Sequence, residues 1–295
     1  MATPAQWVEG ARLRTLPAAV APVAAGTGAA AAVGGFVAWR ALVALLVALA
    51  LQVGVNYAND YSDGVRGTDD QRVGPLRLVG SGVAAPAAVK RAALLSFAVA
   101  AAAGLLLAAV TTWWLLLVGA AAVVAAWFYT GGTRPYGYRG LGEVSVFVFF
   151  GLVATVGTTY VQAERVTAVS VLAGVGCGSF ACAILVANNL RDIGTDIVAG
   201  KRTLAVLLGD RRSRLLYVGL VTLGYALLVP IALLTDGPVP RVLVLLLLAP
   251  AAAAVRDCRR VLAGAGGRDL VVVLRDTGLL LLAYGLGLLV VLSLA

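Results

Sequence analysis

Two short stretches of this 295-residue chain gather oxygen-bearing side chains at regular spacing. The first runs Asn56-Tyr57-Ala58-Asn59-Asp60-Tyr61-Ser62-Asp63-Gly64-Val65-Arg66-Gly67-Thr68-Asp69-Asp70. The second is Asn188-Asn189-Leu190-Arg191-Asp192-Ile193-Gly194-Thr195-Asp196, followed by Gly200-Lys201-Arg202. In each, an Asn precedes an Asp by four residues: Asn59 with Asp63, and Asn188 with Asp192. Asp196 adds a further step of four. Residues four apart share a helix face, so each stretch aims its oxygens in one direction. Converging carboxylates near a bilayer repel unless a cation lies between them. A small set of hard oxygen ligands suits Mg²⁺, which keeps waters and is commonly shared with substrate phosphates. Arg66, Arg77, Lys201 and Arg202 supply the positive charge a diphosphate needs. Taken singly, either stretch also reads as ordinary cap and turn residues. Their pairing at matching places is what points to a site for a metal-bound diphosphate.

These stretches must be held by membrane helices. The chain is 61% hydrophobic and 13% charged, against roughly half and a quarter in soluble domains. Long Ala/Val/Leu blocks predict an all-α polytopic membrane protein with nine transmembrane helices. They are expected near 17–35, 40–58, 90–109, 113–130, 141–161, 167–189, 213–234, 240–256 and 274–294. The second and sixth end in the two polar stretches. With alternating topology, twenty of the 23 basic residues fall on one side, leaving only Arg40, Arg165 and Arg241 opposite. The positive-inside rule then places the N-terminus and both polar stretches in the cytoplasm. It also accounts for the net charge of +9 without nucleic acid. Asn59 and Asn188 lie 129 residues apart with four helices between equivalent loops. That offset predicts two repeats of about four helices (17–130 and 141–256) plus a ninth helix, within one domain spanning 1–295.

Other chemistry is excluded. With no histidine, a Ser-His-Asp triad, histidine-bound zinc and histidine-ligated haem are impossible. Cys177, Cys182 and Cys258 sit in or beside apolar runs and imply no disulfide framework. The Met1–Leu16 leader carries Glu9, Arg12 and Arg14 and lacks a signal-peptide core directly after its charged start. The Gly- and Pro-rich stretch Tyr129–Glu143 reads as a tight loop joining two helices. It would set Tyr129 and Arg134 at the mouth of the same site, or else simply hold interfacial tyrosines and topology arginines.

The motifs resemble those of the UbiA-type intramembrane prenyltransferases. The likeness rests on Asn59-Asp60-Tyr61-Ser62-Asp63 and on Asp192 with Asp196. It extends to Ala11-Arg12-Leu13-Arg14-Thr15-Leu16-Pro17, Gly74–Ser81, Tyr129–Glu143 and Ala187–Asp192, over essentially the whole chain. The closer likeness is to the naphthoate branch of that family. One departure stands out: the wider pattern often has a third Asp eight residues after the first Asn, where this chain has Gly67, with Asp69 and Asp70 just beyond.

The resemblance implies nine helices around a central cavity with cytoplasmic cap loops. It implies Mg²⁺-dependent transfer of a polyprenyl group from polyprenyl diphosphate to 1,4-dihydroxy-2-naphthoate, with loss of carbon dioxide and diphosphate, giving demethylmenaquinone. The expected metal ligands are Asn59, Asp63, Asp69, Asn188, Asp192 and Asp196. Arg66, Arg77, Arg134 and Lys201 would hold the diphosphate, and Arg14 the acceptor carboxylate. Asp60, Asp63, Asp192, Asp196 and Tyr129 are the expected catalytic groups, in a bacterial cell membrane. Alternatives are another acceptor, such as 4-hydroxybenzoate, a tocopherol precursor or chlorophyllide, or a secondary transporter. Acids at helix ends on one side, with helix centres nearly free of charge, favour the enzyme.

Overall fold

The computed structural model describes residues 2–67 and 76–295, and every regular element among them is helical. A short helix α1 (Pro4–Gly10), capped reciprocally by Thr3 and Gln6, leads the chain. Nine apolar helices follow among the described residues: α2 (Pro17–Ala31), α3 (Ala38–Arg66), α4 (Pro86–Val110), α5 (Trp114–Phe128), α6 (Gly142–Ala163), α7 (Ala168–Val198), α8 (Asp210–Leu234), α9 (Pro238–Leu262) and α10 (Gly267–Leu292). Seven are long and apolar enough to cross a membrane. The other two, α2 and α5, have 15 residues each, about 22 Å against a hydrocarbon core of about 30 Å. The expected nine full spans are therefore seven spans and two shorter helices at the expected places. For α2 the reason is its setting: it is buried on nearly every side by protein rather than lipid.

Lipid gives helices no hydrophobic reason to associate, so close approach through small residues has to do it. A Cβ on Gly285 of α10 would stand 2.3 Å from the Ala21 carbonyl oxygen of α2. One on Gly151 of α6 would lie 2.5 Å from the Gly178 Cα of α7. Outward faces carry large apolar side chains such as Leu95 and Trp114, which are 68% and 73% exposed and suit lipid contact.

The three basic residues on the sparsely charged side each close a helix C-terminus, where carbonyls lack partners and the helix dipole is negative. Arg40 donates to the carbonyls of Val161 (3.0 Å) and Val110 (3.3 Å), and to the Glu164 carboxylate (3.0 Å). Arg165 donates to Val33 O at 2.6 Å, and Arg241 to Ala232 O and Thr235 O at 3.1 and 3.2 Å. Arg40→Ala therefore strips the ends of α4 and α6 together. It should cost about 2 kcal/mol and lower Tm in detergent by about 5 °C. Glu164→Gln, at an exposed carboxylate, should change Tm by much less; equal losses from both would show that the ion pair, not the carbonyl bonds, holds this end.

The helices that carry the polar stretches are the longest. At 29 and 31 residues, α3 and α7 measure about 43 and 46 Å and overrun the apolar layer. They do not stop near residues 58 and 189 but continue to Arg66 and Val198, so Asp60, Asp63, Asp192 and Asp196 are helical. Gly67 ends α3 with φ +70°. Glycine adopts this left-handed C-cap without the penalty a Cβ brings. The position where the wider pattern has an Asp is used here to stop the helix.

Candidate active site

A cavity of about 1760 Å³ opens between the polar ends of α3 and α7. On α3 its wall runs from Asp63 back to Ala44, about 28 Å along the helix axis. The polar end takes Asn59, Asp63 and Arg66 from α3, and Asn188, Asp192 and Asp196 from α7. Arg77 and Lys201 reach the same end from the segments following the two helices. Deeper, the wall turns apolar, with Ala48, Leu107, Leu115 and Val118 among its residues.

Cations sit on the carboxylates. Arg77 Nη2 and Lys201 Nζ each lie 3.6 Å from an Asp63 oxygen. Asp63 also accepts a hydrogen bond from the Tyr138 hydroxyl. The Lys201 ammonium stands 4.7 Å from the Tyr138 ring centroid, within cation–π range. Arg66 donates to the carbonyls of Thr130 and Gly132. The Thr130 hydroxyl donates to Asn59 Oδ1 at 2.7 Å. Across the cavity, Arg191 grips Asp192 with two bonds of 2.6 Å and Asn188 Oδ1 with one of 2.9 Å. Asp196 accepts from the Thr203 hydroxyl at 3.3 Å. The loop between α5 and α6 thus touches both clusters: Tyr138 meets Asp63 by its side chain, and its carbonyl accepts from Arg202 N at 2.9 Å.

The model of the UbiA prenyltransferase family matches residues 19–270. The chain belongs to this family. A 1,4-dihydroxy-2-naphthoate octaprenyltransferase from Mycobacterium tuberculosis is 55% identical over 286 residues, covering 97% of this chain and 96% of that one. The Escherichia coli protein of the same name is 39% identical over 215 residues, 70% of each chain. A solved UbiA homologue from Archaeoglobus fulgidus, bound to GPP and Mg²⁺, shares the fold: TM-score 0.69 at 14% identity, covering 97% and 99% of the two chains.

Within this UbiA-family frame, most of the expected site residues that the structure describes line the cavity, and Asp60, Arg134 and Arg202 do not. Tyr129 and Arg14 both line the cavity, Arg14 from the segment after α1. Asp69 lies outside the described residues. Arg134 is exposed and off the cavity wall, just past the left-handed turn at Gly132 (φ +74°), while Arg66 donates to the carbonyls of Thr130 and Gly132. Asp60 is also off the wall, with no solvent exposure. Its carboxylate accepts the backbone N–H groups of Leu78 (2.7 Å) and Val79 (3.0 Å), pinning the segment that carries Arg77. Asp60 thereby ties the end of α3 to the segment that carries Arg77. Asp60→Ala strands two buried donors and releases Arg77, so the KM for prenyl diphosphate should rise about tenfold and Tm should fall. A large loss of kcat at unchanged KM would instead return Asp60 to the reacting atoms.

The donor set fits a hard cation: Asn59, Asp63, Asn188, Asp192 and Asp196 offer only oxygen. Among the described residues no three acidic, His or Cys side chains converge to cage an ion. An oxygen-only donor set suits Mg²⁺, which is commonly bound through one or two carboxylates together with water and substrate phosphate.

Residue types alone did not single out Tyr138 and Thr130, which bind Asp63 and Asn59. Their only signal was membership of a Gly- and Pro-rich loop. Next to them, Tyr136 donates to Ala125 O at 2.7 Å and meets Ser145 at 2.8 Å. Burial pushes its hydroxyl above the usual tyrosine range, keeping it a protonated strut for the loop.

Proposed function

We propose that this chain joins a polyprenyl group to 1,4-dihydroxy-2-naphthoate. The C–O bond to diphosphate breaks, a C–C bond forms at the ring carbon bearing the carboxyl group, and carbon dioxide leaves. The product is demethylmenaquinone at its quinol level. The reading is carried by one observation: two oxygen clusters and their cations face each other at the polar end of a deep apolar cavity. The full-length relative named for this reaction supports the choice of acceptor.

Asn59 and Asp63 on one wall, and Asn188, Asp192 and Asp196 on the other, would hold Mg²⁺. Bound there, the metal supplies Lewis-acid stabilisation to a departing diphosphate. Arg66, Arg77 and Lys201 balance the remaining negative charge as the leaving group departs. The apolar wall excludes water from the allylic cation, and the Tyr129 ring faces it. Arg14 meets the acceptor carboxylate. In this reading the polar end faces the cytoplasm of a bacterial cell, since twenty of the 23 basic residues fall on that side.

The test is turnover by purified protein in detergent with Mg²⁺, polyprenyl diphosphate and carboxyl-labelled dihydroxynaphthoate, with 4-hydroxybenzoate in parallel. Labelled carbon dioxide with a prenylated naphthoquinol is the expected result. Prenylation of 4-hydroxybenzoate alone would overturn the acceptor assignment.

A further inference from the structure

Two turns below Asn59, the apolar span α3 carries two buried amides, Gln52 and Asn56, on the face that bears Asn59 and Asp63. Both line the cavity, as does Thr15 from the segment preceding α2. Thr15 Oγ1 donates to Arg12 O at 2.9 Å. Asn56 Nδ2 donates to Ala11 O at 2.8 Å and to Thr15 Oγ1 at 2.9 Å. Gln52 Nε2 donates to Thr15 Oγ1 at 2.9 Å and to Asn56 Oδ1 at 3.4 Å.

The direction of every bond in this network is forced. A backbone carbonyl only accepts, so Ala11 O fixes the Asn56 nitrogen toward it and turns its Oδ1 to Gln52. That oxygen in turn fixes the nitrogen of Gln52. The Thr15 hydroxyl has spent its single proton on Arg12 O, so it only accepts from the two amides. Both amide nitrogens are then saturated. What the network leaves over is Gln52 Oε1, which is buried and has no hydrogen-bond partner. A buried acceptor without a partner is costly, and a ligand hydroxyl would relieve that cost.

We infer that Gln52 reads a ring hydroxyl of the aromatic acceptor, accepting its hydrogen bond on Oε1. This rests on the function proposed above and adds the residue that recognises the hydroxyl. In a 1,4-dihydroxy-2-naphthoate the 1-hydroxyl is engaged by the neighbouring carboxylate, which leaves the 4-hydroxyl as the free donor. Gln52 stands seven residues before Asn59, about 10 Å along the helix. That depth suits a hydroxyl two ring carbons from the carboxyl-bearing carbon when the latter faces the diphosphate end. The locked network presents an acceptor only, so the site favours a hydroxyl at that position over hydrogen.

The test is direct binding, read by naphthoate fluorescence under anaerobic conditions, with 1,4-dihydroxy-2-naphthoate and 1-hydroxy-2-naphthoate as probes. The wild-type protein should bind the dihydroxy compound about tenfold more tightly. Gln52→Met, close in shape but without the acceptor, should bind the two alike, with the monohydroxy affinity and the KM for polyprenyl diphosphate unchanged. Thr15→Val, which unlocks the amides, should also lose discrimination, and Thr15→Ser should keep it. The Thr15 pair decides the matter if Gln52→Met does not fold. Equal weakening of both probes, or retained discrimination without the amide, would overturn the assignment. Binding with discrimination but no turnover would sink the proposed reaction alone, while turnover without discrimination would sink the role of Gln52 alone.

Discussion

Asp63→Ala and Asp192→Ala should each lower turnover by about 10³-fold or more, with the protein still inserted and monodisperse in detergent. Each carboxylate belongs to a different wall, and a diphosphate held through metal needs both. Neither removal leaves a stranded group in a dry core, because the partners named above stand on the wall of an open cavity: Arg77, Lys201 and Tyr138 beside Asp63, and Arg191 beside Asp192. Thermal melting should therefore move little while kcat collapses. The informative comparison is with Asp60→Ala, three residues away, where stability and donor KM should change instead. Wild-type turnover by both Asp63→Ala and Asp192→Ala would remove the carboxylates from the reaction. Similar losses of stability in all three variants would make all three structural.

Metal removal should have an effect of the same size. Asp63 and Asp192 are paired with the protein's own cations, and Arg191 bridges Asn188 and Asp192. A diphosphate entering without a divalent ion meets Asp63, Asp192 and Asp196 as repelling charges, which only a cation can turn into ligands. Chelation should take activity to background, and added Mg²⁺ should restore it. Asp192→Asn keeps the shape but lowers the ligand charge, so the Mg²⁺ concentration for half-maximal rate should rise about tenfold. Full activity in chelator, with metal content confirmed to be negligible, would rule out a metal-held diphosphate.

Much of this was legible in the linear chain. The excess of apolar residues called for membrane helices, and the clusters at Asn59–Asp63 and Asn188–Asp196 lay where a cavity was found. The helix ends were not legible. Asn and Asp are weak helix formers, so the apolar runs predicted helix ends near 58 and 189, whereas α3 and α7 continue through the polar stretches to Arg66 and Val198. Asp60 and Asp63 are the clearest lesson. They are the same residue type three positions apart, yet one points at backbone N–H groups and the other at the cavity. Arg134 likewise looked equivalent to Arg66, yet it lies exposed just past the turn at Gly132.

Composition and four-residue spacing were enough for a membrane helix bundle and for two sets of oxygen-bearing side chains, each on one helix face. Both are properties of a helix taken alone: how apolar it is and which residues share its face. Which acid meets substrate, which arginine lies on the wall, and which amide is left with an open acceptor depend on neighbours distant in the chain. Those neighbours meet through small-residue contacts among nearly interchangeable Ala, Val and Leu faces, and linear spacing does not encode that packing.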